Sequence, residues 1–278
     1  MNKNYIQFQK QENWYDDLCE YYNVTPEQVI ELGTRKPNRK PNLPESKTTH
    51  AVSGLTFEDI WALESRESEE EIFKFYKDQG AWSSFRQVVR HKDMKNFHAS
   101  LLSNTVKNNS VFCEYGCGVA PFSFTLLENI NPDTTLKICI SDVDCEHFTF
   151  GKWRLEKLIK DRNLTNITLE HVTVLPGELP KYSSKLDTVF IFEVLEHVPS
   201  PIKTFENLNS QMNEGGLFCE NFIKHEHSDD DDPGCDLESA AHEREDYYQR
   251  LSNIFTLAGG QGIEEGPNET RVWRKNSL

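Results

Sequence analysis

Three groups of residues in this 278-residue chain have types and spacings that could do chemistry. In "EVLEHV" the residues Glu193, Glu196 and His197 put two carboxylates and an imidazole just past an apolar run. There His197 could take a proton from a reacting hydroxyl, with Glu193 beside it. Glu193, Glu196 and His197 also have the oxygen and imidazole atoms to hold a divalent ion, although none is expected. "EYGCGVAP", residues 114–121, places Gly116 and Gly118 around Cys117, where missing side chains let a ligand approach the backbone. "KHEHSDDDDPGC" offers His225 as a second-choice base. Its run of aspartates reads as a solvated loop, because cysteine pairs with zinc spacing are absent.

The glycine turn is informative through what it lacks. A dinucleotide fingerprint wants a third glycine where Pro121 stands, and no Gly-Lys-Ser/Thr follows for a phosphate loop. What remains is a seat for a ligand with a ribose and no phosphate chain. Asp142 in "ISDVD" lies 24 residues beyond Gly118, at the spacing of a carboxylate that accepts ribose hydroxyls. The neighbouring cysteines Cys113, Cys139 and Cys145 are expected to be buried thiols, and Cys117 to offer its backbone.

These residues need elements to hold them. The runs "VFCEY", "LKICISD", "NITLEHV", "DTVFIFEV", "GGLFCENF" and "TRVWRK" read as strands, most of them separated by helical stretches. That alternation predicts an α/β domain, a doubly wound and mainly parallel sheet over residues 106–278, with a final antiparallel strand near Arg271 to Arg274. Residues 1–105 read as a helical extension. Its helices are marked by Thr25 with Pro26 and Gly33, by Thr56, and by a capping box of Ser68 with Glu71. A further helix runs from about Trp82 to Leu102, where Arg86 and Arg90 share a face. A proline-rich linker, residues 34–50, interrupts them. Asp236 should cap a long helix carrying Tyr247 and Tyr248, at least one of them packed on the sheet.

With order and spacing in place, "VFCEYGCGVAPFSFTLL" resembles motif I of the class I S-adenosylmethionine-dependent methyltransferases. "LDTVFIFEVLEHVPSPIKTFENLNSQMNEGGLFCENF" is similar to their fourth strand, helix and fifth strand, and its "LEHV" resembles that of ubiquinone-pathway and small-molecule O-methyltransferases. The resemblance covers about Ser110 to Lys275 and implies a Rossmann-like fold with S-adenosylmethionine as cofactor. It also implies that Gly116, Cys117 and Gly118 line the methionine part, Glu114 supports the loop, Asp142 holds the ribose and Val143 flanks the adenine. The family often has an acidic residue near the adenine amine, which "HVTVLPGELP" does not offer, so the backbone of Val174 or Leu175 is the expected substitute. Arg86 or Arg90 would meet the cofactor's carboxylate or an acidic acceptor, with the helical region closing over the mouth.

Charge and composition narrow the partners. A formal net charge of -15 would repel a nucleic-acid polymer at long range, which points to a small-molecule acceptor methylated on oxygen or nitrogen. The start of the chain has no apolar signal core and the seven cysteines form no disulfide pattern, so a cytoplasmic protein without membrane insertion is expected. Two other readings stay open: a methyltransferase-like binding or partner module without catalysis, and a nicotinamide-dependent oxidoreductase.

Overall fold

The computed structural model describes residues 15–34, 61, 64–223, 236–260 and 269–277. The helix start at Thr56, the linker beyond Thr34 and most of the acidic segment with His225 lie outside the described residues.

Among the described residues the helices α1 (Asp16–Tyr22), α2 (Pro26–Gly33), α3 (Glu69–Asp78) and the long α4 (Ala81–Thr105) come first. Thr25 closes a capping box with Gln28 and Pro26 occupies the first turn of α2, as the sequence suggests. The box expected at Ser68 forms only by half. Ser68 accepts the Glu71 amide, but the Glu71 carboxylate turns to the Glu67 amide and the Ser65 hydroxyl.

Then β1 (Ser110–Tyr115), α5 (Pro121–Asn129), β2 (Leu136–Val143), α6 (Glu146–Asp161), β3 (Ile167–Val174), β4 (Leu186–Phe192), α7 (Pro201–Gln211), β5 (Met212–Asn221), α8 (Glu238–Ile254), β6 (Phe255–Gly260) and β7 (Arg271–Lys275) follow. Among the described residues the strands form one sheet in the order β3-β2-β1-β4-β5-β7-β6. The first five are parallel, and β7 runs antiparallel to both of its neighbours. Strand β6 is an edge that the sequence reading passed over, because its "FTLAGG" follows α8 without a break and carries two glycines. Asp236 does not cap α8. Leu237 holds the cap position, and Asp236 instead pairs with Arg244 at 2.9 Å.

Side-chain alternation along the strands divides the interior into two layers. Phe112, Ile138 and Phe190 face α4, α5 and α6, and Phe85 and Val88 of α4 complete that layer. Cys113, Cys139, Val189 and Phe218 point to the other side, where α3, α7 and α8 cover them and Tyr247 is fully buried. The same alternation aims Glu114, two residues beyond Phe112, at the start of α5. That buried carboxylate is the foundation of the site.

Candidate functional site

At the carboxyl end of β1 the chain turns into α5 through Gly116, Cys117 and Gly118. Helix α5 has no side-chain cap of its own, its cap position being Ala120 at φ 53°. Glu114 supplies the missing acceptor. Its carboxylate takes the Phe122 amide at 3.1 Å, the Ser123 amide at 2.7 Å and the Ser123 hydroxyl at 2.5 Å. Burial pushes Glu114 up to about 7, with these hydrogen bonds pulling the other way.

The turn is bound to the end of β2. The amides of Gly116 and Cys117 both donate to the Ser141 carbonyl, at 2.8 and 3.1 Å. The Gly118 amide donates to the Asp142 carboxylate at 2.6 Å, and the Val143 amide to its other oxygen at 2.7 Å. Burial raises the Asp142 pKa against the pull of His147 and these amides. Gly116 and Gly118 stand at φ 63° and 51°, the left-handed region that disfavours side chains. A Cβ on Gly116 would run into Val194, and one on Gly118 into Gln87.

Opposite the turn, α4 presents Ser83, Gln87, Arg90, His91, Met94 and His98 to a cavity of about 890 Å³. Their spacing of three or four residues is that of one helix face. Gln87 accepts the Val119 amide at 3.1 Å and so ties α4 to the glycine turn. Arg90 makes a two-pronged ion pair with Glu193, at 2.6 and 2.5 Å. Glu193 is itself at φ 55°, with its amide held by the Asn221 side chain at 2.8 Å. Arg86 also lines the cavity, its guanidinium 5.7 Å from the centre of the Trp82 ring.

The cavity wall therefore brings together Glu114, Gly116, Cys117, Gly118, Asp142, Val143, Glu193, Glu196, His197, Arg86 and Arg90. Val174 lines it as well. Their orientations differ from what the spacing alone suggests. Glu193 is turned to Arg90, while Glu196 is fully buried with neither carboxylate oxygen hydrogen-bonded, and burial drives its pKa far up. The His197 ring packs on Trp61 at 5.0 Å, with Nε2 3.9 Å from Glu196. His225 lies outside the described residues.

Sequence reasoning missed Gln87, His91 and His98 on α4, whose helical spacing with Arg86 and Arg90 was the available signal. It also missed His147. That ring shares hydrogen bonds with the Ser83 hydroxyl at 2.8 Å and the Cys145 thiol at 3.0 Å. Ligand atoms of Asp142, Cys145 and His147 lie within 4.8 Å of one another, but both imidazole nitrogens are already spent on these partners.

The family model described as a methyltransferase domain matches residues 87–251, more than half of the chain. A curated relative, the tRNA U34 carboxymethyltransferase of Campylobacter fetus subsp. fetus (strain 82-40), is 24% identical over 175 residues. The match takes in 58% of this chain and 56% of the relative, so the chain spans little more than half of that protein's length.

Among solved structures, the N-methyltransferase NodS from Bradyrhizobium japonicum WM9 is similar with a TM-score of 0.43 and 15% identity, covering 69% of this chain and 97% of that one. The structure described as PigF with SAH gives 0.47 and 17%, covering 95% and 74%. No helix among the described residues is long and apolar enough to cross a membrane. The chain belongs to the methyltransferase domain family, with the Rossmann-like α/β fold of class I methyltransferases.

Proposed function

We propose that the protein transfers a methyl group from S-adenosylmethionine to oxygen or nitrogen of a small-molecule acceptor. The observation that carries this reading is the half-buried Asp142 carboxylate at the mouth of β2, joined to the Gly118 amide and open to the cavity. Each of its oxygens accepts one amide and keeps a lone pair, which suits a ribose diol. The side-chain-free turn at Gly116 and Gly118 suits a ligand lying close against the backbone, so the residues present fit the cofactor.

In this reading Gly116, Cys117 and Gly118 line the methionine part and Val143 flanks the adenine. Glu114 acts indirectly, by fixing the α5 start that shapes the turn. Arg86 and Arg90 answer the cofactor's carboxylate or an acidic acceptor, and residues 1–105 close the mouth over the sheet domain of 106–278. The bound cofactor supplies an electrophilic methyl carbon. The chain's share is positioning, exclusion of water and removal of the acceptor's proton. His197 is the first candidate for that last role. Glu193 could follow once Arg90 releases it, and His225 is a further candidate. The acceptor site needs no metal in this reading.

A second reading, favoured by the tRNA-named relative, has the acceptor base carried on RNA. Incubation of the protein with radiolabelled S-adenosylmethionine, a cell-extract small-molecule fraction and a tRNA pool separates the two. Label is expected in the small-molecule fraction. Label in tRNA alone moves the account to the second reading, and label in neither contradicts both.

A further inference from the structure

Helix α3 leads into α4 through Gly80, at φ 56° and ψ -149°, a backbone state that only glycine takes up readily. Helix α3 borders the cavity through Ile72 and the half-buried rings of Phe73 and Tyr76. It reaches the carboxyl ends of β2 and β3 by two further contacts. Lys77 lies 3.4 Å from Asp144, and Glu69 accepts the Gly177 amide. Both are exposed and contribute little, so the setting of α3 against the sheet falls to its apolar face and to the Gly80 joint.

The joint is tied to the end of β2 by a chain of hydrogen bonds with one direction. The Ser83 hydroxyl donates its single proton to the Gly80 carbonyl at 3.0 Å, so toward His147 Nδ1, 2.8 Å away, it can only accept. Nδ1 therefore carries the ring proton. Burial lowers the His147 pKa and pushes the Cys145 thiol up, which leaves the ring neutral and the thiol protonated. Nε2 then accepts from the Cys145 thiol at 3.0 Å. Cys145, His147 and Ser83 are all buried, and a carboxylate oxygen of Asp142 lies within 4.8 Å of both the thiol and the ring.

We propose that His147 is a positioning residue for the nucleoside half of the cofactor: through Ser83 and the Gly80 carbonyl it fixes the α3–α4 joint, and with it the cover formed by Phe73 and Tyr76. The inference rests on the cofactor reading above and deepens it, because part of the grip on the cofactor then comes from the helical region and not from the sheet. The Tyr76 ring stands 6.4 Å from that of His147, so a tilt at the joint moves it relative to Asp142. Half-buried aromatic faces at this place suit a purine ring.

Calorimetry on the full chain tests this with S-adenosylhomocysteine and with 5′-methylthioadenosine, which keeps the nucleoside and lacks the amino-acid part. His147→Leu and Ser83→Ala should each weaken both ligands at least fivefold. The double variant should be no more than twofold weaker than either single one, since all three break one chain. His147→Asn, whose amide nitrogen falls near the place of Nδ1 and can donate to Ser83, should recover to within twofold of wild type. Tyr22→Phe is the control for packing alone. It removes a hydroxyl that joins Ser84 of α4 at 2.9 Å and Glu146 of α6 at 3.2 Å, and affinities should stay within twofold. Wild-type affinity in His147→Leu or Ser83→Ala, additive losses in the double variant, no recovery in His147→Asn, a loss confined to S-adenosylhomocysteine, or an equal loss in Tyr22→Phe overturns the inference. Binding of neither ligand by the wild-type protein overturns the cofactor reading, and this inference with it.

Discussion

The Gly118 amide and the Asp142 carboxylate, 24 residues apart in the chain, meet at 2.6 Å and lock the first glycine turn onto the end of β2. Gly118 holds φ 51° to make that contact, and a side chain there would strike Gln87. Gly118→Ala should therefore disturb the turn and cost about 1–2 kcal/mol from the left-handed backbone alone. S-adenosylhomocysteine affinity, measured by calorimetry, is expected to fall about tenfold, the equivalent of ~1.4 kcal/mol. Unchanged affinity would mean that the ligand does not rest on this turn.

The N-terminal helices are held to the same turn by a buried charge. Arg154 of α6 pairs through Nε with Asp17 of α1 at 2.6 Å and donates to the Val119 carbonyl at 3.1 Å, its guanidinium 3.6 Å from the Phe124 ring centre. Asp17→Ala removes the counter-charge of a fully buried cation, and losses of this kind run to about 3–5 kcal/mol. The urea midpoint should drop far more than for Asp78→Ala, which removes the exposed Lys74–Asp78 pair. Equal drops would show that Arg154 is satisfied without α1.

Arg90 and Glu193 span the cavity, but the arginine is half exposed, so the pair contributes little to stability. Arg90→Ala is expected to change unfolding free energy by no more than about 1 kcal/mol. Methyl-transfer kcat/KM should nonetheless fall tenfold or more, because both side chains border the reacting space. Wild-type cofactor affinity in both Arg86→Ala and Arg90→Ala would remove either arginine as the partner of the cofactor's carboxylate.

Glu196 gives a signed pH dependence. Its folded pKa is raised far above the unfolded value near 4.5 by burial. The folded state thus binds a proton that the unfolded chain has already released, and stability from this group, complete below about 4.5, is lost as pH rises toward the folded pKa. Glu196→Gln should flatten the decline in stability between pH 5 and 8 measured by urea titration. An unchanged decline in the variant would show that Glu196 is already charged in the native protein over this range.

The parallel strands were legible because each is a short apolar run between turn signals, and the glycine turn because Gly116, Gly118 and Asp142 keep a fixed spacing. The family match bears out the methyltransferase reading. What sequence could not show was set by tertiary contacts. Glu193 and Arg90 lie 103 residues apart, and only the fold makes them an ion pair. His91 and His98 share a helical period with Arg86 and Arg90, but period alone does not separate a cavity wall from a packed core. Strand β6 escaped because α8 runs into it without a turn residue.

Whether Asp142 and the glycine turn hold the cofactor is read by calorimetry of S-adenosylhomocysteine against wild type and Asp142→Ala, with NAD as the competing ligand. Charged hydrogen bonds of this kind are worth about 1.5–3 kcal/mol, so the variant should bind roughly ten- to a hundredfold more weakly, and NAD should not bind. Equal affinity in the two proteins, or tight binding of NAD alone, would contradict the account.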